Sequence, residues 1–353
     1  MITTACILYH QCVTPEQRAI IFTQHKQIIR SLETNADINA PRGVDSIILA
    51  GLGGSGHPGD LLNALGLPKV PLFVHRNYNL PLKYLLHLGL TKPLVVTSSY
   101  SGNTEETLTA YQQALENNLP LLVSAGGGTL EEWARRDGNP FCRIDFPGMQ
   151  PRHTLFAAFT GIYTALKNAG LAEDITADLT HVAALLKTAT PMLEEPGKKL
   201  AAAIQGKTPI FISTDNLGFA AKNCKIQTNE NAKYPAFWNT FPELNHNEMV
   251  GFSQLQKTGQ ADRFIAVCLK DPNDHPRNQA RMQVTADHYR QWGLPSAEYT
   301  AQGDTLLEKL FTTITLGLWT TFYLAELNGI DPIPVEGVEG FKKKLVEVAG
   351  IIS

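Results

Sequence analysis

The apolar positions fall into two rhythms that take turns along the chain. In PEQRAIIFTQHKQIIRSL, Ile20, Ile21, Phe22, Ile28, Ile29 and Leu32 recur at helical spacing, which predicts an amphipathic helix. After a polar, proline-containing loop comes the short continuous run Ser46–Ala50, ending in GLGGSG. A run of that kind bounded by glycines predicts a buried strand turning into a loop. The alternation then repeats: GDLLNALG reads as helix, VPLFVHRNY as strand, KPLVVTSSYSGNT as a strand closing in small polar residues, TEETLTAYQQALENN as helix, and LPLLVSAGGG as a strand running into glycines. Strands alternating with helices imply a parallel sheet with crossover helices.

A second cycle starts later. KTPIFISTDNLGFAAKNCKIQTNENA reads as strand, polar turn and helix, RFIAVCLKD as strand, RNQARMQVTADHYRQWG as helix and SAEYTAQG as strand. DTLLEKLFTTITLGLWTTFYLAELNG is a long apolar helix, and the alanine-rich stretch at about 171–196 reads as helix ending at EEPG. The expected organisation is α/β, with one parallel-sheet domain over 1–175 that includes the N-terminal helix, a helical linker over 176–196, a second parallel-sheet domain over 197–330 and a C-terminal tail helix over 331–353.

Composition narrows the class. At 353 residues, 43% hydrophobic and 18% charged, the chain has ample apolar material for a core and too little charge for disorder. Thirty basic against 33 acidic residues leave a net charge of -3, which excludes the basic signature of a nucleic-acid coat. Small anionic ligands need only a few local donors and stay open. The five cysteines (Cys6, Cys12, Cys142, Cys224, Cys268) are scattered with no CxxC pair, so neither a disulfide framework nor a zinc knuckle is expected. No stretch reaches the roughly 20 apolar residues of a membrane span, and a soluble, cytoplasmic protein without membrane or nucleic-acid partners is the expectation.

Gly51, Gly53 and Gly56 fit G-x-G-x-x-G after a strand, so a dinucleotide site has to be weighed. Such a site wants an acidic residue at the end of the next strand, where this chain has His75 and Arg76. The same glycines let backbone approach any phosphate at a helix N-terminus. A tight turn with no ligand is the plainer alternative. The second strand shifts the balance, because Ser98, Ser99, Tyr100, Ser101, Gly102, Asn103 and Thr104 close it and open a helix. Three or more hydroxyls with orphan helix N–H groups can hold a phosphate monoester without lysine. Thr104 alone would be an ordinary N-cap, but an N-cap explains one hydroxyl and not a run of them.

GLGGSG followed by SSYSGNTEET resembles the sugar isomerase (SIS) domain, and GMQPRHTLF, KIQTNENAKYPAF, ELNHNEMVGF and DPIPVEGVEGFKKKL in that order resemble the bifunctional phosphoglucose/phosphomannose isomerase family. The resemblance covers about residues 45–345. It implies two SIS-type domains and aldose–ketose isomerisation of hexose 6-phosphates through a cis-enediol; no cofactor is expected, and no metal, since no His-rich spacing beyond His246 and its flanking carboxylates supports one. It further implies that Gly54, Ser55, Ser99, Ser101 and Thr104 bind the phosphate and that Arg152 stabilises the enediolate. Glu230 would be the base and His246 the ring-opening group, with Lys342 or its neighbour Lys343 near the ring oxygens.

Glu230 and His246 are sixteen positions apart, so one helix would hold them more than about 20 Å apart. They meet if the chain turns back, or if His246 serves a neighbouring subunit; the family implies the latter, a homodimer with shared sites. Glu243 and Glu248 flank His246 as further carboxylates. Two positions depart from the family pattern, His57-Pro58 after the glycine loop and Ile333 where many members carry threonine. Another phosphosugar isomerase, such as one acting on pentoses, a non-catalytic phosphosugar-binding regulator and, last, a nicotinamide oxidoreductase are the alternatives.

Overall fold

The computed structural model describes residues 15–350; Cys6 and Cys12 lie outside them. Two compact units form, one running Gln24–Ala183 and the other taking the helix Pro15–Phe22 together with the chain from Ala184 onward. Each is built on an all-parallel sheet. The first has the order β2-β1-β3-β4-β5, with β1 Ser46–Ala50, β2 Leu72–His75, β3 Pro93–Ser99, β4 Leu121–Ala125 and β5 Phe141–Arg143. The second has the order β7-β6-β8-β9, with β6 Thr208–Ser213, β7 Phe237–Thr240, β8 Phe264–Lys270 and β9 Ser296–Thr300. The expected α/β class with two parallel sheets flanked by helices is what the chain adopts.

Every residue of β1, β3 and β4 is buried, which is why these strands read as unbroken apolar runs rather than alternating ones. Register is tight through the centre of the first sheet: Ala50 pairs with His75 on one side and Thr97 on the other, and Ser99 pairs with Ala125. The second unit is organised by the helix Leu306–Leu327, buried on nearly all sides. Its Trp319 is fully buried, donates from Nε1 to Thr190 O at 2.8 Å and meets Phe22 edge-on with ring centroids 5.3 Å apart. Among the described residues no helix is long and apolar enough to cross a membrane.

Three local readings are corrected. The first predicted helix is two, Pro15–Phe22 and Gln24–Thr34, broken at Thr23, whose hydroxyl and N–H both donate to Ile20 O. A threonine hydroxyl competing for a backbone carbonyl is a standard way to end a helix. EEPG does not end a helix but opens one, Glu194–Ile204, after Thr176–Met192. Pro196 sits in the first turn, where its missing N–H has no partner to lose, and Glu194 and Glu195 favour the positive end of the dipole. The strands β5 and β7, three and four residues long, were not expected: they carry too few positions to show a period, and β7 exposes Phe237 and Trp238.

The helices Glu194–Ile204 and Leu306–Leu327 touch at Gly197, where an added Cβ would lie 2.4 Å from Trp319 Cβ and 3.0 Å from Thr320 N. Gly197→Ala should therefore force the helices apart and cost about 1–3 kcal/mol, the scale of overpacking a filled core. Urea denaturation measures it, and an unchanged midpoint would contradict the close packing.

Candidate active site

In the first sheet the chain leaves β1 toward β2 on one side while β3 lies on the other, so the loops after β1 and β3 diverge at the carboxyl edge. That divergence is where open parallel sheets place ligands. The loop after β1 turns through the short 3-10 segment Gly53–Gly56 into the helix His57–Ala64. Its glycines are forced by proximity. A Cβ on Gly51 would lie 2.7 Å from Ser55 O and 2.9 Å from Ser98 O, and one on Gly54 would meet Arg152 N at 3.2 Å. Arg76, just past β2, donates from Nη2 to Gly56 O at 3.3 Å and pairs with Asp60, bracing the loop from outside. The position where a dinucleotide site would want a carboxylate thus holds a cation already engaged with the loop.

After β3, Gly102 takes φ +68° and lets the chain turn into the helix Glu105–Glu116. Thr104 stands at the N-cap but makes no side-chain cap bond. Its Oγ1 instead lies 2.8 Å from Ser99 Oγ, which is also 3.4 Å from Ser101 Oγ. Ser55 Oγ accepts from Tyr100 N at 3.2 Å, and Ser101 Oγ accepts from Asn103 N at 3.3 Å. The structure therefore brings Gly54, Ser55, Ser99, Ser101 and Thr104 together and decides against Thr104 as a plain cap. Hydroxyls clustered beside a helix N-terminus form a concentrated set of donors for an anion. Arg152, in the 3-10 turn Pro151–His153, is buried, and its backbone lies against Gly54.

In the other unit, Glu230 is the last residue of the helix Asp215–Glu230. With Asn229, Lys233, Tyr234 and Pro235 it lines one wall of a cavity of about 700 Å³, and Ile330, Asp331 and the run 334–338 form the other wall. His246 and Lys342 are not among the lining residues. His246 is exposed at the end of the turn Glu243–His246, after the chain has run back through β7. Lys342 and Lys343 are exposed on the helix Glu336–Ala349, none of whose residues is buried. Near His246, Glu248 accepts from Asn239 Nδ2 at 2.9 Å; burial raises its pKa, and that hydrogen bond only partly offsets the rise.

The carboxyl edge of the second sheet has a different chemistry. There Asp271, after β8, pairs with Lys309 Nζ at 2.7 Å, both side chains 2% exposed, and accepts from Asn216 Nδ2 at 2.9 Å. Asp274 accepts from the Thr214 hydroxyl and is raised in pKa, by burial first, with the Asp271 charge adding to it. This edge presents carboxylates neutralised from within. Among the described residues no group of three or more His, Cys, Asp or Glu side chains is placed to hold a metal ion.

Residues 193–345 match the bacterial phospho-glucose isomerase C-terminal SIS domain. Over 344 residues the chain is 34% identical to a bifunctional phosphoglucose/phosphomannose isomerase of Caldicellulosiruptor bescii, spanning 93% of this chain and 98% of that one. This chain belongs to the bifunctional phosphoglucose/phosphomannose isomerase family. A member from Aquifex aeolicus is 32% identical, over 85% of this chain and 90% of its own. A Sulfolobus acidocaldarius relative named D-glucosamine-6-phosphate 4-epimerase is 35% identical over 239 residues, 67% of this chain and 72% of its own. Among solved structures, a hypothetical protein from Thermus thermophilus aligns with TM-score 0.71 at 17% identity, covering 95% of this chain and 91% of that one. The C-terminal domain of a Francisella tularensis glucosamine-fructose-6-phosphate aminotransferase aligns with TM-score 0.65 at 14% identity, covering 90% and 98%. At those identities the likeness concerns the fold. Family membership makes the chain kin to named isomerases, a class of enzyme.

Sequence reasoning missed Arg76 as the brace of the glycine loop and Lys233 beside Glu230. Arg76 carried a signal, a cation where the dinucleotide pattern wants an acid. Lys233 carried none, since a left-handed lysine has no sequence signature.

The buried pair yields a prediction with a definite sign. Burial raises the Asp271 carboxyl, but hydrogen bonds from Lys309, Asn273 N and Asn216 outweigh it, and the net pKa is lowered. Its contribution to stability is therefore present above the ordinary carboxylate pKa and is lost as pH falls through the lowered folded value. Lys309→Met leaves Asp271 buried and uncompensated and should cost about 3–5 kcal/mol at neutral pH, less in acid. Thermal unfolding at several pH values tests this; a pH-independent loss would show that the charge of Asp271 is not its source.

Proposed function

We propose that this protein interconverts glucose 6-phosphate, and with it mannose 6-phosphate, with fructose 6-phosphate through a cis-enediol. The observation that carries the reading is the clustering of the Ser99, Ser101 and Thr104 hydroxyls, with Thr104 paired to Ser99 instead of capping its helix and Ser55 Oγ on the adjoining Tyr100 N. In this reading that cluster and the Gly54 loop take the phosphate. Glu230, beside the cavity, moves the proton between C2 and C1, while Arg152 stabilises the enediolate and His246 opens the ring. Lys342, or Lys343 one position on, contacts the ring oxygens. A guanidinium suits the enediolate because it stays charged and forks two donors onto vicinal oxygens. Glucose and mannose 6-phosphates differ only at C2 and lose the same proton to the same enediol, so one base serves both if the open chain rotates about C2–C3. The working unit is a cytoplasmic homodimer, with His246 acting in a neighbour's site. No cofactor enters this chemistry.

The named 4-epimerase at 35% identity supports a second reading, inversion at C4 of an amino-sugar phosphate. One experiment separates the two. The protein is incubated without added metal with fructose 6-phosphate and, separately, with glucosamine 6-phosphate, and the products are resolved by NMR. Glucose and mannose 6-phosphates from the first substrate are expected. Galactosamine 6-phosphate from the second, with no aldose from the first, would replace the isomerase with the epimerase.

Two variants test the assigned roles. Thr104→Val should weaken fructose 6-phosphate binding by about 1.5–3 kcal/mol, the scale of a hydrogen bond to a charged group. Calorimetry showing fructose bound as tightly as its 6-phosphate would overturn the anchor. Glu230→Gln keeps size and hydrogen bonding but cannot accept a proton, so turnover should fall about 10²–10⁴-fold. Undiminished exchange of the C2 proton with deuterated solvent would place the base elsewhere, with Glu243 and Glu248 next in line.

A further inference from the structure

The cavity beside Glu230 has walls from two distant parts of the sequence, and one side chain joins them. Lys233 lies three residues past Glu230 with φ +50°, a left-handed backbone that residues with a Cβ adopt rarely. Its Nζ donates to Glu230 O at 2.8 Å and to Pro332 O at 2.9 Å, with Asn231 O at 3.5 Å. Glu230 O belongs to the last turn of the helix Asp215–Glu230, whose final carbonyls have no partner within the helix and form the negative end of its dipole. An ammonium there is favourable on both counts. Pro332 does not line the cavity itself but sits between Asp331 and Pro334, which do, in a segment held locally by Ile333 N donating to Asp331 Oδ1 at 2.9 Å. Beyond it, the helix Glu336–Ala349 buries none of its residues, so core packing of that helix does not hold the wall.

We propose that Lys233 is a positioning residue whose ammonium clamps the tail segment around Pro332 to the end of the helix carrying Glu230. The clamp sets the width of the cavity and the place of the carboxylate at its edge. A long, flexible, charged donor with several N–H groups can reach the carbonyls of Glu230, Asn231 and Pro332 from this one backbone position. A left-handed conformation kept at a residue with a Cβ is understandable when the side chain must turn back over the helix end it has just left. The inference rests on Glu230 as the base of the proposed isomerisation.

Three variants and three readouts test it. Lys233→Met keeps the stem without the donors, Lys233→Gly removes the side chain but accepts φ +50° freely, and Lys233→Arg keeps a charged donor. Met and Gly are expected to lower kcat about 10²-fold, the scale of misplacing a reacting group by an ångström, while the Kd for inorganic phosphate stays put and Arg recovers most of kcat. In the same two variants trypsin should cleave the tail at Lys342–Lys344 faster than in the parent. Parental kcat in Lys233→Met, or a parallel loss of kcat and phosphate affinity in all three variants, overturns the proposal. Glu230→Gln is measured alongside: if it still turns over, or if the parent turns over neither epimer, the base or the reaction is misassigned and the clamp is decided by tail cleavage alone. Unchanged cleavage in Lys233→Met then refutes the clamp, and faster cleavage upholds it.

Discussion

Backbone packed directly on backbone at the carboxyl edge of the first sheet is the constraint on which the geometry of the hydroxyl cluster depends. Three loops interlock there largely through their main chains, with Ser55 Oγ and Asn103 Oδ1 adding side-chain bridges to Tyr100 N and Thr129 N. Gly51 abuts Ser55 O and Ser98 O, and a Cβ on Gly102 would lie 1.8 Å from Gly127 O. The contacts are also hydrogen-bonded: Gly126 N donates to Tyr100 O at 2.9 Å and Leu130 N to Gly102 O at 3.0 Å. With the main chains locked, the hydroxyls of Ser99, Ser101 and Thr104 meet one another, while Ser55 Oγ and Ser101 Oγ accept from Tyr100 N and Asn103 N and keep their own O–H groups to donate. A single Cβ at Gly102 would push the β3 and β4 loops apart and dissolve the cluster, with no change to any hydroxyl.

The two sheets share parallel strands and a divergence of connections, yet their edges are opposite in chemistry. Where the first offers hydroxyls and helix N–H groups, the second offers Asp271 and Asp274 with Lys309 pressed between strand end and helix. A buried pair of this kind is a poor source of net stability, since desolvation consumes much of the Coulomb gain. Its effect is to fix the long helix Leu306–Leu327 against β8 at one register, because neither charge can move without stranding the other. Duplicated architecture therefore carries a hydroxyl cluster at one edge and a structural lock at the other.

What could be read from the sequence follows from how each feature is encoded. Ser46–Ala50 and Asp215–Glu230 announce themselves, since a fully buried strand must be apolar throughout and a helix that ends at a polar turn leaves a clear stop. The hydroxyl cluster was legible because its members sit in one short stretch, whereas Ser55, on a separate loop, entered only through the family resemblance. The break at Thr23 was not, because its cause is one hydroxyl reaching Ile20 O, which leaves the helical period intact. Nor was the cavity, since the stretch from Asn229 to Pro235 and the stretch from Ile330 to Val338 meet only through the fold.

The choice between carboxylates for proton transfer turns on room as much as on pKa. Glu248 has the attributes of a general acid or base: burial raises its pKa, and its Oε1 is buried with no hydrogen-bond partner among the described residues. But a base must reach a carbon of the substrate, and Glu248's other oxygen is already held by Asn239 at the foot of β7. Glu230 faces a cavity of about 700 Å³, within the range of small-ligand sites and ample for a six-carbon phosphate. Its position at a helix C-terminus is electrostatically adverse to a carboxylate, because the free carbonyls there carry partial negative charge. Lys233 answers that field at its source by donating to Glu230 O itself. The cation that compensates the helix end is thus the one that holds the opposite wall, so the electrostatics of the carboxylate and the closure of its cavity are one arrangement.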